Sequence, residues 1–115
     1  TEIFDPADLL DRMMDDRELA CSVLHWFLDD APKCLGHLRE ALCRKDIETL
    51  GRRAHSLNGL AANAGAPRLQ HRAEELETAA NRQELEKIAL LLPQAETAAE
   101  EACQVIRAFL AETEG

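Results

Sequence analysis

The chain has 115 residues, of which 46% are hydrophobic but only 3% aromatic, with no tyrosine, and it carries a formal net charge of −9. That length serves a single core, so the whole of 1–115 is read as one domain, and the core has to be assembled from Leu, Ala and Ile at helical spacing. The negative charge argues against nucleic acid and anionic membranes as partners, because binding either depends on Lys and Arg meeting phosphates. The longest apolar runs are only a few residues and no charged-then-apolar leader precedes them, so neither a membrane-spanning helix nor a signal peptide is expected and the cytoplasm is the default compartment. The start at Thr1 rather than Met reads either as a cut from a longer protein or as processing.

Taken in order, Phe4-Asp5-Pro6 predicts a helix start, with Asp5 as N-cap, Pro6 at the first helical position, Asp8 three residues after the cap and Phe4 placed to pack against Leu9; a short helix to about Met14 follows. Asp15 with Glu18 makes a capping-box pattern for a longer helix to about Cys43, whose inner stripe is Ala20, Leu24, Phe27, Ala31, Leu35, Leu38 and Leu42. Pro32 falls inside it. An interior proline costs ~3 kcal/mol, but the stripe continues in phase, so a kink is expected rather than two helices. Asp46 caps the next helix, with Ile47, Leu50, Ala54, Leu57, Ala61 and Ala64 facing inward, and Gly65-Ala66-Pro67 ends it and opens another. That one carries Leu69, Ala73, Leu76 and Ala80, and Asn81 to Gln83 is a turn. A last helix from about Gln83 to Glu112 repeats the spacing at Leu85, Ile88, Leu92, Ala95, Ala99, Ala102, Ile106 and Phe109, with Pro93 just off the stripe. The fold class is all-α: an antiparallel up-down four-helix bundle with a short extra N-terminal helix.

One polar residue stands out on this framework. His55 follows the inward Ala54, hence lies about 100° around the helix, and its neighbours three and four residues away are Gly51, Arg52, Asn58, Gly59 and Ala62. Gly costs roughly 1 kcal/mol against Ala in a helix interior, so Gly51 and Gly59 beside one histidine suggest that something approaches it closely. On local pattern alone His55 reads either as an incidental solvated histidine or as a group that a partner must reach. Cys21, Cys34, Cys43 and Cys103 form no Cys-x-x-Cys pair and read as buried reduced thiols. His25, His37, His55 and His71 form no His-x-x-x-His or Glu-x-x-His pair, so no metal site is expected.

General-base catalysis at His55 would need a nucleophile and an oxyanion site, and no such constellation is present. Carrier chemistry needs less: a neutral imidazole attacks phosphorus or an acyl centre directly, provided its other nitrogen is held by an acceptor. Antiparallel packing across Gly65-Ala66-Pro67 brings the helix bearing Glu77 alongside. A carboxylate there is placed to orient the ring, although Glu77 reads equally as an ordinary solvated glutamate.

The run Ala54-His55-Ser56-Leu57-Asn58-Gly59, followed by Ala61-Ala62-Asn63-Ala64-Gly65-Ala66, Leu69 and Leu76-Glu77, resembles the signature of histidine-containing phosphotransfer (HPt) domains of multistep phosphorelays. The likeness extends over nearly the whole chain. It implies that His55 accepts a phosphoryl group from the aspartyl phosphate of a response-regulator receiver domain and passes it to the aspartate of another, that Glu77 bonds the far ring nitrogen, and that the ground around Gly51, Gly59 and Ala62 lets the receiver approach. It also implies a carrier without ATPase or autokinase activity, monomeric as an isolated domain. No cofactor is expected here, since Mg²⁺ belongs to the partner receiver. The module would be part of a hybrid sensor kinase, on the cytoplasmic side of the membrane where that kinase is membrane-bound, or a free-standing shuttle. The family usually places a basic residue where this chain has Asn58. Asn58 donates hydrogen bonds without charge, leaving Arg52, with Arg53 less well aimed, to stand in for the cation. Leu60 occupies a position where a small residue is common. The alternative function is an HPt-like docking module that binds a receiver or kinase without carrying phosphate.

Overall fold

In a computed structural model, described over residues 2–114, the chain forms five helices and, among the described residues, no strand. Thr1 and Gly115, the two ends of the domain expected over 1–115, lie outside the described residues. The helices are α1 (Pro6–Arg12), α2 (Arg17–Cys43), α3 (Ile47–Ala64), α4 (Pro67–Asn81) and α5 (Leu85–Glu114). α2 packs on α3, α3 on α4, α4 on α5, and α5 closes the ring onto α2. The all-α, four-helix bundle with a short leading helix is therefore the observed architecture. No helix among the described residues is long and apolar enough to cross a membrane.

The starts of α1, α2 and α3 are fixed by a side chain that satisfies an amide left without a partner in the first turn, whereas α4 opens on Pro67 with no side-chain cap. Asp5 Oδ1 accepts from the Asp8 amide at 3.0 Å, with Pro6 at the first position of α1. Asp46 Oδ1 accepts from the Thr49 amide at 3.2 Å. At α2 the cap is Asp16, whose Oδ1 accepts from the Leu19 amide at 3.0 Å, and not Asp15 as the spacing to Glu18 suggested. The physical reason is the preceding turn. Met14 and Asp15 both have positive φ, 54° and 62°, so the chain reverses through them and the capping position falls one residue later.

The inner stripe of α2 is Ala20, Leu24, Phe27, Ala31, Cys34, Leu38 and Ala41. Leu35 and Leu42, expected inside, are half-buried flanks. The observed stripe alternates four and three without a break, the repeat of a helix that keeps one seam toward its neighbours; side-chain size misled the reading toward the leucines. α2 runs continuously through Pro32. In α3 the buried positions are Leu50, Ala54, Leu57, Ala61 and Ala64, with Ile47 half-buried. In α4 they are Leu69, Ala73, Leu76, Ala79 and Ala80. In α5 the buried face is wider than the expected stripe, adding Leu91, Ala98, Cys103 and Leu110, while Phe109 is half-buried and stacks edge-on against Phe4 with ring centroids 5.3 Å apart.

The α3–α4 turn is held from outside. Gly65 closes α3 at φ +70°, and its carbonyl accepts from the Asp5 amide at 2.7 Å, while the Arg68 amide donates to the Glu2 carbonyl at 3.0 Å. The segment ahead of α1 thereby clamps the turn that sets α3 beside α4. The cysteines are all free, but only Cys34 and Cys103 are buried. Cys43, expected inside, is exposed because it closes α2 two residues beyond the last inward position, Ala41.

Candidate functional site

α3 presents its inward stripe to the core, so His55, about 100° around from Ala54, emerges at the side of the helix facing solvent. The His55 side chain is 76% exposed, and its Nδ1 lies 2.9 Å from Glu77 Oε2 on α4, a carboxylate only 28% exposed. A carboxylate only accepts, so Nδ1 carries the proton and donates. In the neutral ring the lone pair is then on Nε2. Antiparallel packing across the Gly65 turn thus brings together two residues 22 positions apart in sequence.

The pair lies in an open groove of about 810 Å³ lined also by Ile47, Glu48, Gly51, Arg52, Ser56 and Ala80. Arg52 is exposed one turn before His55, and its Nη2 donates to Thr49 Oγ1 at 3.3 Å. Thr49, which the sequence reading passed over, links that guanidinium to the α3 cap: its hydroxyl and then its amide hydrogen-bond the Asp46 carboxylate and hold that carboxyl below its ordinary value. The three-residue spacing of Thr49 and Arg52 was the available signal. Ser56 Oγ donates to the Arg52 carbonyl at 3.2 Å.

Asn58 and Ala62 are half-buried and do not line this groove. The two glycines play unlike parts. A Cβ on Gly51 would stand 3.4 Å from the Ala80 Cβ, an ordinary packing contact against α4; around Gly59 there is nothing within 4 Å, and that side is open. Among the described residues no group of three or more His, Cys, Asp or Glu side chains is arranged to hold a metal ion.

His25 on α2 makes a similar exposed pair, its Nε2 lying 3.0 Å from Glu114 Oε1 on α5, so the class is set by fold and place together: an all-helical bundle whose central helix α3 displays an imidazole held through Nδ1 by a carboxylate of α4. The sequence profile of the Hpt domain family matches residues 22–114, and the chain belongs to that family. It is a phosphotransfer intermediate of phosphorelays, a transfer module and not a kinase. Among solved structures, histidine-containing phosphotransfer protein B (HptB) from Pseudomonas aeruginosa PAO1 is similar at 27% identity and a TM-score of 0.88, over 95% of each chain. The HPT domain from the Hpt sensor hybrid histidine kinase from Shewanella shares the fold at 22% identity and a TM-score of 0.86, over 96% of this chain and 95% of that one. No curated protein sequence matches the chain significantly.

Proposed function

We propose that His55 is the phosphoacceptor and that it shuttles a phosphoryl group between the aspartates of two receiver domains. The observation that carries this reading is the 2.9 Å contact between His55 Nδ1 and Glu77 Oε2 on a side chain that is otherwise mostly exposed. The Nε2 lone pair attacks the phosphorus of an aspartyl phosphate; the N–P bond forms as the P–O bond to the aspartate breaks, and the aspartate leaves as a carboxylate. The ring becomes a cation that keeps its Nδ1 proton, facing the Glu77 carboxylate. Transfer to the second receiver is the same step reversed. Phosphoryl transfer is chiefly positioning and charge stabilisation, and this chain supplies a held imidazole and an approachable face. Arg52, which lines the groove, is the cation offered to the phosphoryl oxygens, and Asn58, outside the groove but one turn beyond His55 on α3, is a secondary uncharged donor. Mg²⁺ belongs to the receivers, and the chain has neither a cofactor nor ATPase activity of its own. The isolated domain works as a monomer, on the cytoplasmic side where it belongs to a membrane-bound kinase.

Incubation with a phosphorylated receiver labels wild type with an acid-labile, alkali-stable phosphate and leaves His55→Gln unlabelled; equal label on both refutes the assignment. Asn58, where the family usually has a base, is the one observation behind the docking-only alternative. Receiver binding at full affinity without label under any condition would establish that alternative.

A further inference from the structure

The pair formed by His25 and Glu114 repeats the make-up of the His55 site on another seam of the bundle. His55 stands where α3 meets α4, and His25 where α2 meets α5; in the ring of four helices those two seams lie across from each other. His25 Nε2 is 3.0 Å from Glu114 Oε1 and 3.3 Å from Oε2, and the side chains are 54% and 47% exposed. A carboxylate only accepts, so Nε2 carries the proton, and in the neutral ring the lone pair is on Nδ1, which has no partner among the described residues. The arrangement is that of His55 with the two ring nitrogens exchanged. Neither His37 nor His71 has a ring nitrogen held by a carboxylate among the described residues.

His25 and Glu114 lie in an open groove of about 370 Å³ lined also by Arg17, Glu18, Cys21, Ser22 and Thr113. The groove supplies one guanidinium and two hydroxyls beside the held ring, as the His55 groove supplies Arg52 and Ser56. Cys21, one turn before His25, is the rival nucleophile. Burial pushes its thiol up from the ordinary value, and Glu114 adds to the rise while Arg17 opposes it, so at neutral pH the sulfur keeps its proton and the imidazole is the group with a lone pair to give. We infer that His25 is a second phosphoacceptor, taking a phosphoryl group on Nδ1 from a small acyl phosphate. The Nδ1 lone pair attacks phosphorus, the N–P bond forms as the P–O bond to the acyl group breaks, and the carboxylate leaves. The ring becomes a cation that keeps its Nε2 proton toward Glu114, and Arg17, Ser22 and Thr113 face the phosphoryl oxygens. The groove is smaller than the 810 Å³ around His55, which suits a small donor. The bundle is 43 Å long and 20–21 Å across, so a receiver seated over His55 covers one side of it and leaves the α2–α5 seam open. The two sites therefore fill independently, one from the relay and one from the supply of acyl phosphate.

The test incubates wild type, His55→Gln, His25→Gln and Glu114→Gln with acetyl phosphate in the absence of any receiver. The phosphohistidines are read at early times by ³¹P NMR, which separates the two ring isomers, and placed by mass spectrometry. The expected result is one phosphoryl group on Nδ1 of His25 in His55→Gln and one on Nε2 of His55 in His25→Gln, with His37 and His71 labelled about tenfold more slowly or not at all. Glu114→Gln should label His25 roughly fivefold more slowly while His55 labels at the wild-type rate. No label on His55→Gln, or label spread evenly over His25, His37 and His71, overturns the second acceptor and leaves the phosphocarrier reading intact. Label on Nε2 of His25, or a Glu114→Gln rate equal to wild type, overturns it as well, since the pair is then only a tie between α2 and α5. A His25→Gln chain that takes label from neither acetyl phosphate nor any receiver overturns the phosphocarrier reading at His55, while the label on His55→Gln still decides the fate of His25.

Discussion

Replacing Glu77 by Gln changes one charge and little else. In the resting site the Nδ1–H donates to a carboxylate 2.9 Å away, and on the proposed mechanism the same bond would join a cationic ring to an anion once the ring is phosphorylated. A hydrogen bond to a charged group contributes ~1.5–3 kcal/mol against ~0.5–1.5 for a neutral one. The ring is 76% exposed and the carboxylate 28%, so solvent screening holds the difference to the low end, ~1 kcal/mol. Because glutamine still accepts through Oε1, the ring tautomer is retained and only the charge term is lost. That converts to a roughly fivefold slower transfer in Glu77→Gln, and to tenfold or more in Glu77→Ala, where the ring also loses its anchor. Rapid-quench measurement of label passing from receiver to His55 reads the rate, and receiver affinity measured separately reads docking. Docking should not move. Transfer at the wild-type rate in Glu77→Gln would refute the claim that the carboxylate stabilises the charged ring, and a Glu77→Ala rate equal to that of Glu77→Gln would refute its orienting role.

Asn58→Lys adds a cation one turn from the histidine and is expected to slow loss of phosphate from His55 or speed transfer a few-fold, whereas Arg52→Ala slows transfer by a similar factor; phosphohistidine half-life and quench kinetics read both, and wild-type behaviour in Arg52→Ala removes it from the site. Gly65→Ala puts a Cβ 2.8 Å from the Asp5 carbonyl oxygen at φ +70°, so it should lower stability by at least the ~1–2 kcal/mol of a left-handed non-glycine residue, about 4–8 °C in melting temperature for each kcal/mol; an unchanged melting temperature would show that the clamp ahead of α1 yields freely. The Asp46 carboxyl is held below its ordinary value, first by the Thr49 hydroxyl and then by the Thr49 amide. Its folded value being depressed, its contribution is fully present above the unfolded value near ~3.9 and is lost as pH falls through the lower folded one. Urea melts of wild type and Asp46→Asn should therefore converge as pH drops below about 4, and a gap that stays constant from pH 6 to pH 3 would exclude this linkage.

What the sequence disclosed and what it hid follow from how local each signal is. Pro6, Asp46, Gly65 and Pro67 act within one turn of chain, so the ends of α1, α3 and α4 were legible to a residue or two. The α2 cap was misplaced because Asp15 and Asp16 offer the same side chain, and the choice is made by backbone torsions that no composition reveals. Leu35 and Leu42 were read as core for their size, yet seam geometry prefers the small Cys34 and Ala41 at those depths. At the site, the exposure of His55 followed from periodicity alone. The contact with Glu77 needed the antiparallel turn as well, and Gly51 could not be told from Gly59 without seeing that Ala80 backs one and nothing backs the other.

On the proposed mechanism, the sparse charge around His55 is itself consistent with a carrier. A phosphoryl group on Nε2 brings negative charge to a chain already at −9, on a groove that holds Glu48 and Glu77 against the single guanidinium of Arg52. Arg52 is partly engaged by Thr49, and Asn58 adds no charge. The phosphorylated site is therefore not strongly stabilised by its own residues, and more of the neutralising charge in the transition state must come from the partner, whose metal-bearing aspartate pocket faces the same phosphorus. A group that must be passed on is better held weakly: each kcal/mol of extra stabilisation on His55 would slow its departure to the next aspartate by about fivefold. Specificity then cannot reside in the grip on phosphate. On that mechanism it has to come from surface away from the reacting atoms.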